Sequence, residues 1–379
     1  MNAYQKPGLY IHTPFCTTKC PYCGFYSIAS TSLIPRWLEA LKKEVAYYKD
    51  RFTCFDSLYL GGGTPTRLSA RDLEKIMQHL YKHFDFAADT EITIEANPKD
   101  LTPEKVCRLK TMGFNRVNVG IQSFNAKALL FLGRTHTGAE AESALRILRS
   151  GGFDNVGVDL IYGYEGQSLK GWISALSRTL SFEPEHISCY QLSFEKKTPF
   201  WRMREQGGIR PIGEEKERSF FLTTSRFLKE KGYIHYEVSN FAREKTYYSR
   251  HNTKYWHHTP YLGLGPSAHS FQNRTRWWNF RSIRQYCEAL ERHTAPVEGY
   301  EDLTNDQLRL ESIALGLRTR DGFAIKGTDL DSQSVHMLSL LQGSGFLNIK
   351  KDRIVPTPKG FLVADHIPLC LDIFGELAV

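Results

Sequence analysis

Short apolar runs alternate with amphipathic stretches through the first half of the chain. The runs fall at 8–12, 56–60, 91–96, 116–121, 155–161 and 186–192; the amphipathic stretches lie near 33–50, 70–84, 103–112, 138–150 and 168–181. This alternation predicts βαβ units and a parallel sheet. Val117-Asn-Val-Gly-Ile121 and Val156-Gly-Val-Asp-Leu160 carry the β-branched residues that buried parallel strands favour. Six units predict an α/β fold, a partial (β/α)6 barrel of the TIM type, with an open doubly wound sheet as the competing architecture.

Each run delivers polar or glycine-rich residues at its end. Three cysteines follow the first, and Gly61-Gly62-Gly63-Thr64-Pro65 follows the second. Glu95 and Asn97 end the third, Gln122-Ser123 the fourth; Asp159 and Gly163 belong to the fifth, Gln191 and Ser193 to the sixth. The C-terminal ends of barrel strands build active sites. One such residue alone reads as a helix cap; the recurrence is what points to a site. The triple glycine allows close backbone approach to a ligand, and no Gly-Lys-Ser/Thr follows to make it a phosphate loop.

Beyond this half, 194–236 reads as helical and charged. The segment 237–300 is basic and interleaved with aromatics: Lys and Arg far outnumber the single Glu244 between 241 and 284. Such a surface suits nucleic acid or a flat ring bearing carboxylates, and a cover over the open barrel edge is the plain structural alternative. Residues 301–379 read as two helices, at 305–318 and 333–341, then a hairpin around 346–355 and a short helix from Pro358. That order predicts an α+β winged-helix-like domain, with the tail from Phe361 through Asp372 and Glu376 as a docked helix. The expected domains are therefore 1–236, 237–300 and 301–379.

Composition adds limits. With 41% hydrophobic and 24% charged residues among 379, the chain is an ordinary globular protein, and the absence of long uncharged apolar runs predicts no transmembrane helix. The first residues, MNAYQKPGLYIH, lack a signal pattern, and eight cysteines without one suit a reducing, cytoplasmic setting where thiols bind metal. The net charge of +8 admits nucleic acid, an anionic membrane face or a carboxylate-bearing ligand.

The cysteines read Cys16-Thr-Thr-Lys-Cys20-Pro-Tyr-Cys23, with the next at Cys54. A structural zinc site wants four ligands, which His12 or a distant residue would have to complete. Three thiolates suit a four-iron cluster with one open iron. This C-x3-C-x2-C spacing resembles the signature of the radical S-adenosylmethionine (SAM) superfamily. The resemblance implies a [4Fe-4S] cluster, SAM bound to its open iron, cleavage to a 5′-deoxyadenosyl radical, an electron donor for the cluster, and a barrel of the radical SAM kind.

The later motifs resemble the branch that holds oxygen-independent coproporphyrinogen III oxidases and the haem chaperones of the HemW kind. Carried over position by position, Cys16, Cys20 and Cys23 would hold the cluster. Tyr10 would lie beside cluster and SAM; Gly61, Gly62, Gly63 and Thr64 would receive the methionine moiety, with Glu95 nearby. Gln122, Arg134 and Asp159 would line the rest, and Tyr22 and Ser193 match contact positions more weakly. The oxidases carry a further cysteine where this chain has Phe25, and a longer N-terminus. His251-Asn252-Thr-Lys-Tyr255-Trp256 resembles the HNxxYW motif of the chaperones, which implies haem binding at His251, Asn252, Tyr255 and Trp256. Gly24, and Tyr164-Glu-Gly-Gln-Ser168 after the fifth strand, depart from the chaperone pattern. The resemblance favours a chaperone that hands haem to apo-proteins such as respiratory enzymes at the cytoplasmic face of the membrane, in contact with it peripherally, and is compatible with a homodimer. Oxidative decarboxylation of coproporphyrinogen III and modification of RNA are the alternatives; nucleic acid is not favoured as a partner.

Overall fold

The structure, a computed structural model, describes residues 6–52, 54–325, 332–350 and 352–370. The expected alternation is present. In chain order come β1 (Gly8–Thr13), α1 (Ile34–Tyr48), β2 (Cys54–Gly62), α2 (Ala70–His83), β3 (Asp85–Ala96), α3 (Pro103–Thr111) and β4 (Arg116–Gln122). They are followed by α4 (Ala126–Phe131), α5 (Gly138–Ser150), β5 (Val156–Tyr162), α6 (Leu169–Leu180), β6 (His186–Gln191) and α7 (Pro199–Glu205). Then come α8 (Glu214–Glu230), β7 (Ile234–Glu237), β8 (Asn240–Ala242), α9 (Arg250–Trp256), β9 (Tyr261–Leu264), β10 (His269–Gln272), β11 (Thr275–Asn279), α10 (Ile283–Glu291) and β12 (Val297–Asp302). The chain finishes with α11 (Asn305–Gly316), β13 (Phe323–Ala324), α12 (Ser332–Gly343), β14 (Leu347–Lys350), β15 (Arg353–Pro356) and α13 (Pro358–Phe361).

Two compact units result: 1–212 with 259–301, and 213–258 with 302–379. In the first, strands β1 to β6 pair in sequential order, all parallel. β9 pairs with β1 on its other side, also parallel, and β10 and β11 continue antiparallel. The fold is thus α/β with a large parallel sheet, as the alternation predicts. The helix starts are locally encoded. Ser69, Thr102, Asn125, Thr137 and Ser168 each accept a backbone N–H of the first turn, and Thr137 with Glu140 forms a capping box. Because α1 presents Trp37, Leu38, Leu41, Val45 and Tyr48 to the interior, one face is buried at a helical period.

The basic aromatic segment does not form one body. Its part from 259 onward extends the sheet beyond β1, whereas 237–258 belongs with α8 and the C-terminal elements. Charge composition drew the expected boundary at 237, but packing decides membership: α8 packs on β7 and α13, and α9 on α11. Nor are the aromatics all surface. Trp277 is buried, donates its indole N–H to the Tyr48 hydroxyl at 3.0 Å and lies under the Arg51 guanidinium at 4.3 Å.

In the second unit, α11 and α12 precede the β14–β15 hairpin, and β13 completes a three-stranded antiparallel sheet. Ile313, Leu317, Phe323, Leu338, Leu347 and Ile354 form its core. Two helices, a hairpin and a short helix thus follow one another in this unit. Of the tail, Ile367–Cys370 is a turn of 3-10 helix; residues 371–379, with Asp372 and Glu376 of the expected docked helix, lie outside the described residues.

Candidate functional site

A cavity of about 610 Å³ opens at the C-terminal ends of β1 to β6. Its walls include Cys16, Cys20 and Cys23, then Tyr22, Gly62, Gly63, Thr64, Glu95, Gln122, Arg134, Asp159 and Ser193. Twelve of the fourteen residues expected at cluster and SAM therefore meet around one space. Tyr10 and Gly61 are not among the residues lining it.

The cysteine loop is held from both sides. Cys16 N–H donates to Ile28 O at 3.0 Å, and Cys23 N–H to Cys20 O at 3.1 Å. His12 accepts the Tyr10 hydroxyl at Nδ1 (3.1 Å), and its Nε2–H donates to Tyr26 O at 2.9 Å. Both ring nitrogens are thus engaged, so ligation of a metal by His12 requires one of these bonds to break. Burial lowers its pKa to about 4, so the ring is neutral. Burial also pushes the Cys23 thiol up.

The glycine loop needs its glycines. At Gly62 φ is +104°, and at Gly63 a Cβ would come within 2.7 Å of Phe15 O. Backbone bonds from Gly63 N–H to Thr13 O (2.8 Å) and Thr64 N–H to Phe15 O (2.7 Å) tie this loop to the chain entering the cysteines. Glu95 braces it: Oε1 accepts the Tyr59 hydroxyl at 2.8 Å and Oε2 accepts Gly62 N–H at 3.2 Å. Burial nevertheless raises the Glu95 pKa to about 7, with Asp159 adding repulsion. Burial likewise raises Asp159, against the Asn118 amide that donates to its Oδ2 at 2.6 Å. Gln122 closes β4 at φ +65°, where the β4–β5 register shifts.

Whether SAM and a cluster fit can be judged from these atoms. Asp159 Oδ1, Asn118 Oδ1, Gln122 Oε1 and Arg134 Nε are buried without a hydrogen-bond partner among the described residues, and all four residues line the cavity. Buried polar atoms are ordinarily paired, so three acceptors and a donor around one space fit a polar ligand bearing hydroxyl and amine groups. The three thiols fit a cluster, in which each thiolate binds its own iron and one iron stays open. Among the described residues no three His, Cys, Asp or Glu side chains converge on a point suited to a single metal ion.

The motif residues His251, Asn252, Tyr255 and Trp256 lie on α9 in the second unit. His251 is 1% exposed, its Nε2 sits 2.9 Å from the Tyr255 hydroxyl, and burial lowers its pKa to about 3. Asn252 offers its backbone N–H to the Ser249 cap, and Trp256 stacks under Arg318 at 5.3 Å.

Sequence reasoning missed Asn118 and Tyr59. Each is a polar interruption of an apolar strand run, and that was the available signal. It also missed Tyr190 and Phe25 as cavity walls, the latter 66% exposed.

A parallel βα sheet carrying a three-cysteine loop against a glycine loop defines a radical SAM protein, and residues 10–177 match the radical SAM superfamily. Over 370 residues the chain is 33% identical to the haem chaperone HemW of Mycobacterium tuberculosis, covering 96% of this chain and 94% of that one. It is 31% identical to HemW of Bacillus subtilis, covering 94% and 97%. Among solved structures, coproporphyrinogen III oxidase (HemN) of Escherichia coli, a radical SAM enzyme, aligns with a TM-score of 0.84 at 24% identity, covering 97% of this chain and 90% of that one. The chain belongs to the HemW family within the radical SAM superfamily.

Proposed function

We propose that this protein is a haem chaperone: it binds haem, and passes it to haem-accepting apo-proteins such as respiratory enzymes. The observation that carries this reading is the extent of the likeness to the HemW proteins, which runs through both units rather than through the barrel alone. In this reading Cys16, Cys20 and Cys23 hold a [4Fe-4S] cluster, and Tyr10, Tyr22, Gly61, Gly62, Gly63, Thr64, Glu95, Gln122, Arg134, Asp159 and Ser193 serve SAM. When bound, the cluster supplies one-electron chemistry, with the electron coming from an external donor. The chain's own part is to hold the methionine end of SAM on the glycine loop, to accept its hydroxyls at Asp159, and to keep both carboxylates away from bulk water.

Haem is assigned to the α9 segment, with His251, Asn252, Tyr255 and Trp256. Imidazole suits iron, but His251 is closed onto Tyr255, so ligation requires that contact to open. Hand-over takes place at the cytoplasmic face of the membrane; among the described residues no helix is long and apolar enough to cross one. A homodimer is compatible with this reading, and no nucleic-acid partner is invoked.

The test is made on anaerobically reconstituted protein. Haem is titrated by absorbance into wild type and His251→Ala, and conversion of coproporphyrinogen III with SAM and reductant is assayed alongside. A saturable Soret shift, weakened in His251→Ala, without porphyrinogen conversion is expected. Protoporphyrinogen formation would overturn the chaperone reading in favour of the oxidase. A Soret shift unchanged by the substitution would keep the chaperone and move the haem away from His251.

A further inference from the structure

Two of the three cysteine sulfurs, those of Cys16 and Cys20, accept a hydrogen bond from a side chain, and the donors differ in kind. The Thr64 hydroxyl donates to Cys16 Sγ at 3.6 Å. The Arg134 guanidinium donates from Nη1 to Cys20 Sγ, also at 3.6 Å. A neutral hydroxyl thus faces one sulfur and a fixed positive charge another.

None of these donors is placed by accident. Thr64 is fixed by its own backbone N–H, which bonds Phe15 O at 2.7 Å and leaves the hydroxyl turned to the cysteine beside Phe15. Arg134 is anchored by its second arm, Nη2 donating to Gly120 O at 2.6 Å at the end of β4. The guanidinium cannot lose its proton and is planar, so anchoring one arm aims the other. With Nη1 on sulfur and Nη2 on a carbonyl, Nε is buried without a hydrogen-bond partner among the described residues. Two arms of the Arg134 fork thus tie the cysteine loop to the strand end.

We propose that Thr64 and Arg134 are positioning residues for the redox level of the cluster: their hydrogen bonds to the Cys16 and Cys20 sulfurs raise its reduction potential. The inference rests on the cluster-binding reading above. Its physics is general. Reduction adds one electron to a cluster whose ligands already bear negative charge, and a donor aimed at a ligand sulfur stabilises that added charge; hydrogen bonds to sulfur are among the recognised levers on cluster potentials. Removing a donor makes the cluster harder to reduce. Arg134, with a full charge, exerts the larger effect; Thr64, neutral, the smaller.

The test is a potentiometric titration of the SAM-free reconstituted full chain, followed by the electron paramagnetic resonance signal of the reduced cluster, with iron and sulfide content measured on every sample. Thr64→Val keeps the shape and deletes the hydroxyl; Thr64→Ser restores it. Arg134→Lys keeps the charge and loses the fork, and Arg134→Gln loses the charge. The midpoint is expected to move negative in Thr64→Val and to return in Thr64→Ser. For Arg134→Gln a tenfold change in the oxidised-to-reduced ratio at fixed potential is expected, about 59 mV for a one-electron couple, with Arg134→Lys between it and wild type. Midpoints equal to wild type in Thr64→Val and Arg134→Gln, at full iron content, would overturn the proposal. Should one variant fail to hold iron, the other decides by the same criterion. Failure of the wild type itself to hold a cluster would instead overturn the reading on which the proposal rests.

Discussion

Glu44 on α1 accepts the backbone N–H of Gly265 at 2.8 Å, joining a helix near the start of the chain to the turn after β9. The carboxylate is fully buried and also accepts the Tyr286 hydroxyl and the Asn279 amide, each at 2.5 Å. Burial outweighs these donors and raises its pKa from 4.5 to about 7. An acid raised in the folded state holds its proton there more tightly than in the unfolded chain. Its contribution is therefore full below pH 4.5 and is lost as pH rises through about 7. The difference corresponds to about 3 kcal/mol across that window. Glu44→Gln is expected to remove this part of the pH slope in urea unfolding, while lowering stability at acid pH by about 1–3 kcal/mol because the amide cannot accept all three donors. An unchanged slope would show that Glu44 does not titrate in the window.

Histidine acts with the opposite sign. The His251 pKa falls from 6.5 to about 3. A base lowered in the folded state contributes stability above pH 6.5 and loses it as pH falls towards 3, by about 1.4 kcal/mol per pH unit. His251→Gln is expected to flatten the acid limb of the stability profile. Persistence of the full acid limb would place the sensitivity in other buried rings, such as His12 or His235, whose pKa values burial also lowers to about 4.

The glycine loop predicts a loss of assembly. A methyl at Gly63 would meet Phe15 O at 2.7 Å and Thr13 O at 2.8 Å, both backbone atoms with little freedom to yield. Gly63→Ala is expected to cost about 1–3 kcal/mol, as overpacking does, and to lower iron retained after reconstitution. Wild-type iron content in Gly63→Ala would mean that loop and cysteines are not rigidly coupled.

Asn118 predicts an effect on affinity rather than on assembly. Its amide donates to Asp159 Oδ2 at 2.6 Å, and Asp159 Oδ1 is buried without a hydrogen-bond partner among the described residues. Asn118→Leu is expected to weaken SAM binding about tenfold, roughly 1.4 kcal/mol, by calorimetric titration of the reconstituted protein, with cluster content unchanged. Equal affinity would remove Asn118 from the SAM site.

Much of this was written locally in the chain. The six strand runs, their caps and the residues at their ends depend on neighbours in sequence, and the cysteine, glycine, Glu95, Gln122 and Asp159 positions all reach one cavity. What local pattern did not carry was set at a distance. Glu44 reads as one charge on a polar helix face, yet it is buried because residues 265, 279 and 286 return to it. Trp277 reads as part of a sticky basic surface, yet α1 covers it. The segment 213–258 reads as an extension of the barrel by order alone, yet its helices find their apolar partners beyond residue 302.

The pairing of β9 with β1 also sets a timetable. Tyr10 stands between Tyr59 and Gly263, so the strand leading into the cysteines gains one neighbour early in synthesis and the other only after the second unit's first segment has been made. Contacts so far apart in sequence close late, and until they close, β1 is a bare sheet edge. A nascent chain that has emerged only to Ile212 is thus expected to hold its thiols on an unfinished strand and to retain no iron when released. For this protein, metal loading would then belong after translation rather than during it.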